Sequence, residues 1–163
     1  MKKRSLYKRY DRKNVDQLYG ELLTEAWEEF GRLVGKDDVI IDIGSGGADF
    51  IAHGAKLFPD NKFIGVEYVD HRYDYALEHN GDIPNLTLIH DRYPCKIPHK
   101  PTLALIHGCA FSDDCIEKIY KHLPKGCRVV HNNLTMLGLQ QTEHKLRMRT
   151  SYSKKVHFYL FTK

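Results

Sequence analysis

Residues 39–50 read VIIDIGSGGADF, and few folds accept that order of residues. Val39–Ile43 is an apolar run rich in β-branched residues, with Asp42 as its one polar member, the pattern of a strand buried on both faces and therefore of a parallel sheet. Gly44, Ser45, Gly46 and Gly47 follow as a turn, and GADFIAHGAKLF continues with helical character until Pro59. Glycines there permit positive φ and let a ligand approach the backbone at the carboxyl end of the first strand.

The rest of the chain repeats the alternation. Leu22, Leu23, Ala26, Trp27, Phe30, Leu33 and Val34 have helical spacing, which predicts a helix over residues 21–34 with Gly35 as its stop. KFIGVE (62–67), LTLIH (86–90), TLALIHG (102–108) and CRVVHN (127–132) predict strands. DHRYDYALEHN (70–80) and SDDCIEKIYKHL (112–123) predict helices, the second with Ser112 as N-cap. The end changes character: HKLRMRTSY (144–152) and KKVHFYLFTK (154–163) have no helix between them and predict an antiparallel pair. The expected fold is α/β: a Rossmann-like, mostly parallel seven-stranded sheet with helices on both faces and an antiparallel C-terminal hairpin. By analogy, such a hairpin fits a class I methyltransferase better than a dehydrogenase.

At 163 residues, 42% hydrophobic and 28% charged, the chain can build one core of its own. The expected division is a basic, mobile arm over 1–17 and a single domain over 18–163. The basic start MKKRSLYKRYDRK has no apolar stretch behind it, and no run approaches the ~20 residues of a membrane span. The expectation is an intracellular protein with no membrane partner. Cys95, Cys109, Cys115 and Cys127 form no Cys-x-x-Cys, and the ten histidines add no zinc-ligand spacing, so no metal is expected. Charge is uneven. Residues 1–13 carry +6 through Lys2, Lys3, Arg4, Lys8, Arg9, Arg12 and Lys13 against one Asp, and residues 145–163 carry another +6. With the chain at +4 overall, residues 14–144 hold the balance of −8. Basic ends on an acidic body point to an acidic partner such as nucleic acid or chromatin, or to a solvated arm and a guarded sheet edge.

The turn also limits the ligand. A dinucleotide fingerprint requires Gly-x-Gly-x-x-Gly/Ala, with pyrophosphate on the helix N-terminus. Here the last position is Asp49, whose carboxylate would repel a pyrophosphate, and no Gly-Lys-Ser/Thr follows to make a P-loop. S-adenosyl-L-methionine is a phosphate-free adenosine carrying a sulfonium and an ammonium, and it suits Asp42 and Asp49. Glu67, about 20 residues beyond the turn, is placed to accept from both ribose hydroxyls. Asp91, past the third strand, is placed to accept from the adenine amino group. A sugar-phosphate or nucleotide enzyme of similar layout is the alternative.

Tyr19-Gly20-Glu21, the helix after it, the Asp42-Ile43-Gly44-Ser45-Gly46 turn and Gly65-Val66-Glu67 together resemble the Dot family, the non-SET histone-lysine methyltransferases. Val156-His157-Phe158-Tyr159-Leu160 resembles that family's final strand. The resemblance runs from about Leu18 to the end, and the Tyr-Gly-Glu loop is its most specific part. It implies that Tyr19, Gly20, Glu21 and Leu22 close over the methionine part of the cofactor and that Gly44, Ser45 and Gly46 give backbone contacts. It also implies that Glu67 holds the ribose, with Asp91 and Arg92 at the adenine. Phe111, after Ala110, would line the lysine channel with Tyr152, Phe158 and Tyr159, and His107 would orient the amine or act as its base. The chain departs from the family pattern at Ala48, at His107-Gly108-Cys109 and at Phe158, and the expectation is a nearly bare catalytic core without the family's large N-terminal helical domain.

The function these expectations support is S-adenosyl-L-methionine-dependent methylation of a protein lysine, on histone in nucleosomes, with the basic arm on DNA phosphates. The setting would be the nucleus or another chromatin-containing compartment. An apolar channel beside a cation would depress the lysine pKa from ~10.4 by desolvation and like-charge repulsion. The alternatives are a nucleic-acid or small-molecule methyltransferase, or a chromatin-binding module without catalysis. A base-amino methyltransferase usually carries Asn/Asp-Pro-Pro-aromatic after its fourth strand, whereas this chain has His107-Gly108-Cys109-Ala110.

Overall fold

A computed structural model of the protein describes residues 23–106, 111–131, 141–151 and 154–163. Its centre is a seven-stranded sheet of order β3-β2-β1-β4-β5-β7-β6. The strands are β1 (Val39–Ile43), β2 (Lys62–Glu67), β3 (Leu86–His90), β4 (Leu103–Ile106), β5 (Arg128–His131), β6 (Gln141–Ser151) and β7 (Lys154–Thr162). β1 to β5 run parallel, and β7 pairs antiparallel with both β5 and β6. The apolar runs lie where a doubly covered sheet needs them, with Ile40, Ile41, Leu103, Ala104, Val129 and Val130 buried.

Four helices are described: α1 (23–30), α2 (Asp49–Leu57), α3 (Asp70–Asn80) and α4 (Asp113–His122). Period-2 alternation along the strands sorts the core into two layers. Ile40, Phe63, Leu103, Leu105, Val130 and Leu160 pack with α1, α2 and α3. Ile41, Ile43, Ile64, Val66, Ala104 and Phe161 face the other way, toward α4 and the segment holding Tyr93, Cys95 and Ile97. Helices on both faces are therefore present as expected. The first layer centres on Trp27, whose ring stacks on Phe50 at 4.8 Å and whose Nε1–H donates to the Phe50 carbonyl at 2.7 Å.

Two differences from the sequence reading have simple causes. The first helix passes into a 3-10 turn (Gly31–Leu33) and leaves it at Val34 in extended conformation, so Gly35 does not serve as a left-handed cap. α2 starts at Asp49 rather than Gly47, because Gly44, Gly46 and Ala48 have φ of 81°, 57° and 61° and a helix cannot include them. Between β3 and β4, residues 91–101 form no helix, since Pro94, Pro98 and Pro101 interrupt any helical ladder. Ser112 caps α4 as predicted, accepting from the Cys115 N–H at 3.4 Å.

The amino ends of the strands are closed by polar ties. Asp38 accepts from Thr102 Oγ1 at 2.7 Å, from the Gly35 N–H at 2.6 Å and from the Arg128 guanidinium, which also donates to the Leu33 carbonyl at 2.8 Å. Burial pushes the Asp38 carboxyl up, but these donors together hold it below its ordinary value. The carboxyl ends, on either side of the β1/β4 switch point, are left for the loops that carry the site.

Candidate functional site

The glycine turn leaves β1 by hanging on β2. The Gly44 and Ser45 N–H groups donate to the Val66 carbonyl at 2.8 and 3.0 Å, and the Ala48 N–H donates to the Ser45 carbonyl at 2.9 Å. The Gly46 N–H donates to Glu67 Oε2 at 2.8 Å. Glu67 Oε1 accepts from the N–H groups of Tyr68 at 2.9 Å and Val69 at 2.8 Å. One buried carboxylate thus ties the turn after β1 to the loop after β2. Four N–H groups of the turn, those of Gly44, Ser45, Gly46 and Ala48, are thus taken by protein acceptors.

Asp42 lies under the same turn and is 4% exposed. Strand parity puts Asp42 and Glu67 on one sheet face. Burial first, then the Glu67 charge, raises the Asp42 carboxyl to about 7. Asp49 opens α2, and burial pushes its carboxyl up, partly offset by a hydrogen bond with Asn80 of α3 and by the charges of His79 of α3 and Lys56 of α2.

Beside the turn is a cleft of about 250 Å³, lined by Gly44, Tyr68, Asp91, Arg92, Tyr93 and Phe111 over a floor of Ile43 and Val66. It spans the carboxyl ends of β1, β2 and β3. The Phe111 ring lies on Gly44 so closely that a Cβ there would come within 2.7 Å of its Cζ. Asp91 accepts from the Arg92 N–H at 2.7 Å, and the Arg92 guanidinium sits over the Tyr68 ring at 4.4 Å.

Of the residues singled out in the sequence, Gly44, Asp91, Arg92 and Phe111 meet at this cleft, while Asp42 and Glu67 are buried behind the turn formed by Ser45 and Gly46. Phe158 falls on β7 opposite Leu146. The expectations for Tyr19, Gly20, Glu21, Leu22, His107, Tyr152 and the basic arm lie outside the described residues. Tyr68 was missed. The available signal was its place directly after a buried strand-end acid, which by strand alternation turns it to the opposite side, into the cleft. Among the described residues, no group of three His, Cys, Asp or Glu could hold a metal ion, and no helix is long and apolar enough to cross a membrane.

No family model and no curated protein matches the sequence. Solved structures do match the fold. A precorrin-6Y C5,15-methyltransferase from Geobacter metallireducens aligns with TM-score 0.58 and 16% identity, over 90% of this chain and 88% of that one. An RNA methyltransferase from Salinibacter ruber, in complex with S-adenosyl-L-homocysteine, aligns with TM-score 0.59 and 14% identity over 94% and 92%. A SAM-dependent methyltransferase from Geobacter sulfurreducens, also in complex with S-adenosyl-L-homocysteine, gives TM-score 0.53 and 18% identity over 68% of this chain and 47% of that one, about half its length. The chain has the Rossmann-like fold of class I methyltransferases.

Proposed function

We propose that the protein is an S-adenosyl-L-methionine-dependent methyltransferase whose cofactor lies across the carboxyl ends of β1, β2 and β3. The observation that carries this reading is the turn itself. Its Gly44, Ser45 and Gly46 N–H groups are already bonded to Val66 and Glu67, and acidic groups surround it, so it suits a cationic adenosine without phosphate. The matching solved structures that hold S-adenosyl-L-homocysteine support the same choice.

In this reading Asp91 accepts from the adenine amino group, and Tyr68, backed by Arg92, offers a face to the base. Ile43, Val66 and Phe111 exclude water. Glu67 uses its remaining lone pairs on the ribose hydroxyls while holding the turn in place. Asp42 places a buried carboxyl, protonated in the fold up to about 7, beneath the methionine end. When bound, the cofactor offers an electrophilic methyl carbon on a sulfonium, which an acceptor lone pair takes in an in-line displacement. The protein's contribution is alignment and water exclusion, which is worth ~7–11 kcal/mol in favourable cases.

The acceptor we propose is a lysine amine of a basic, DNA-associated protein, with histone in nucleosomes as the first candidate. The Tyr19-Gly20-Glu21 resemblance and the basic arm from Lys2 to Lys13 support it. A second reading, a nucleic-acid acceptor, is favoured by the near full-length match to the Salinibacter ruber enzyme. Incubation with tritiated cofactor and nucleosomes, free histones or RNA separates them, followed by mass spectrometry of the labelled product. The expected result is label on lysine. Label on RNA alone overturns the lysine reading in favour of the second, and label on none of the three overturns both.

A further inference from the structure

Residues 92–101 and 118–131 contain Arg92, Lys96, Lys100, Lys118, Lys121 and Lys125 among their cations and not a single Asp or Glu. The first stretch is the crossover from β3 to β4, and the second is the end of α4 with β5. They pack side by side on one sheet face, where the Tyr93 hydroxyl donates to the His122 carbonyl at 3.3 Å. Between them runs an open trough of about 410 Å³, lined by Tyr93, Pro98, His99, Lys100, His122 and Pro124. Tyr93 also lines the cofactor cleft, so trough and cleft share a wall. Lys96, His99, Lys100, Lys118, Lys121, His122 and Lys125 are all exposed. Glu117, which pairs with Lys121 at 2.7 Å, is the acid nearest in sequence to the second stretch.

We infer that this trough and its rim bind the phosphodiester backbone of a single-stranded nucleic acid, leading it along the β3–β4 crossover to Arg92 at the mouth of the cleft. A row of cations that outnumbers its bordering acids, Asp91 beside Arg92 and Glu117 on Lys121, attracts a polyanion, whose release of counterions supplies the binding free energy. Prolines keep the crossover from collapsing, and the exposed His99 and His122 rings give faces on which unpaired bases stack. His122 is held with its Nδ1–H on the Lys118 carbonyl at 2.8 Å, which fixes the ring on the trough wall. A membrane surface fits less well, because it requires apolar anchors beside the cations. The exposed large hydrophobics, Leu57, Tyr68, Tyr75 and Leu77, lie on or beside α2 and α3 instead. The inference rests on charge and shape and stands whether or not the cofactor reading holds.

The test is fluorescence anisotropy of labelled single-stranded RNA, single-stranded DNA and duplex DNA, titrated between about 50 and 200 mM salt. The wild type is compared with Lys96→Glu/Lys100→Glu/Lys125→Glu and with a control of equal charge, Lys36→Glu/Lys56→Glu/Lys62→Glu, outside the trough. The expected result is about tenfold weaker single-strand binding for the first triple, with a log–log salt slope flatter by about 2, since each single-strand contact contributes ~0.7. The control keeps the wild-type slope, and preference between RNA and DNA identifies the source. Equal losses in both triples, or loss in neither, would overturn the inference. So would wild-type competition by polyglutamate or phosphatidylserine vesicles. The corresponding Lys→Gln triple is the second variant if charge reversal lowers the melting temperature, and it must show the same loss at half the change in charge.

Discussion

Glu67→Gln tests the joint on which the site is built. Glu67 accepts three backbone N–H bonds at 2.8–2.9 Å and is 3% exposed. Gln retains one oxygen, which can keep Tyr68 and Val69 satisfied. Its amide nitrogen then faces the Gly46 N–H, setting donor against donor in a buried place. Losing one charge-assisted bond and stranding a donor costs about 2–3 kcal/mol. At this chain length each kcal/mol moves the melting temperature by about 2–4 °C, so a fall of about 4–12 °C is expected. The turn should loosen with it, and amide exchange at Gly44, Ser45 and Gly46 should speed up while α4 stays protected. Calorimetry of the variant should also show S-adenosyl-L-methionine binding weakened well beyond the loss of one ribose contact. A variant with wild-type melting temperature and wild-type exchange at Gly46 would refute the claim that this carboxylate holds the turn.

Three further outcomes follow from the same geometry. Asp42 is neutral in the fold up to about 7 but ionises near 3.8 when unfolded, so the folded state binds the extra proton between those values and stability falls as pH rises through the window. Melting curves of Asp42→Asn should lack that fall, a difference of up to about 4 kcal/mol at pH 8, and parallel curves would contradict it. Gly54→Ala would drive a methyl into the Trp27 indole, costing about 1–3 kcal/mol and disturbing the fluorescence of the chain's single tryptophan, and an unchanged spectrum and melt would refute that packing. Tyr68→Ala removes a half-exposed ring, so the fold should melt as before while cofactor affinity drops roughly fivefold to a hundredfold, the ~1–3 kcal/mol of one stacked base, and unchanged affinity would take Tyr68 out of the site.

The parts of the fold that the sequence made legible are those in which one local pattern decides the outcome. Val39–Ile43, β-branched and apolar at every position but Asp42, fits a doubly covered strand, and the two final β-rich segments lack any helix that could make them parallel. The crossover at 91–101 was not legible as a layer of the core, because Tyr93, Cys95 and Ile97 are spaced among prolines with no period, and only the sheet beneath them makes them a cover. Asp42 and Glu67 show a different limit. Both were read as ligand groups, yet Glu67 first serves Gly46, 21 residues away, and Asp42 shares its buried face. Such long-range hydrogen bonds leave no local trace. Ala48 could be seen only as a departure from a glycine pattern, and its φ of 61° explains why glycine would suit that position.

The most direct test of the account is calorimetric titration of the purified chain with S-adenosyl-L-methionine, read beside its melting temperature. Saturable binding at one site is predicted, displaced by S-adenosyl-L-homocysteine, with stabilisation of about 2.7 kcal/mol at a hundredfold excess over Kd. Absence of heat and of any melting shift with the sulfonium compound, together with binding of a dinucleotide at the same cleft, would contradict it.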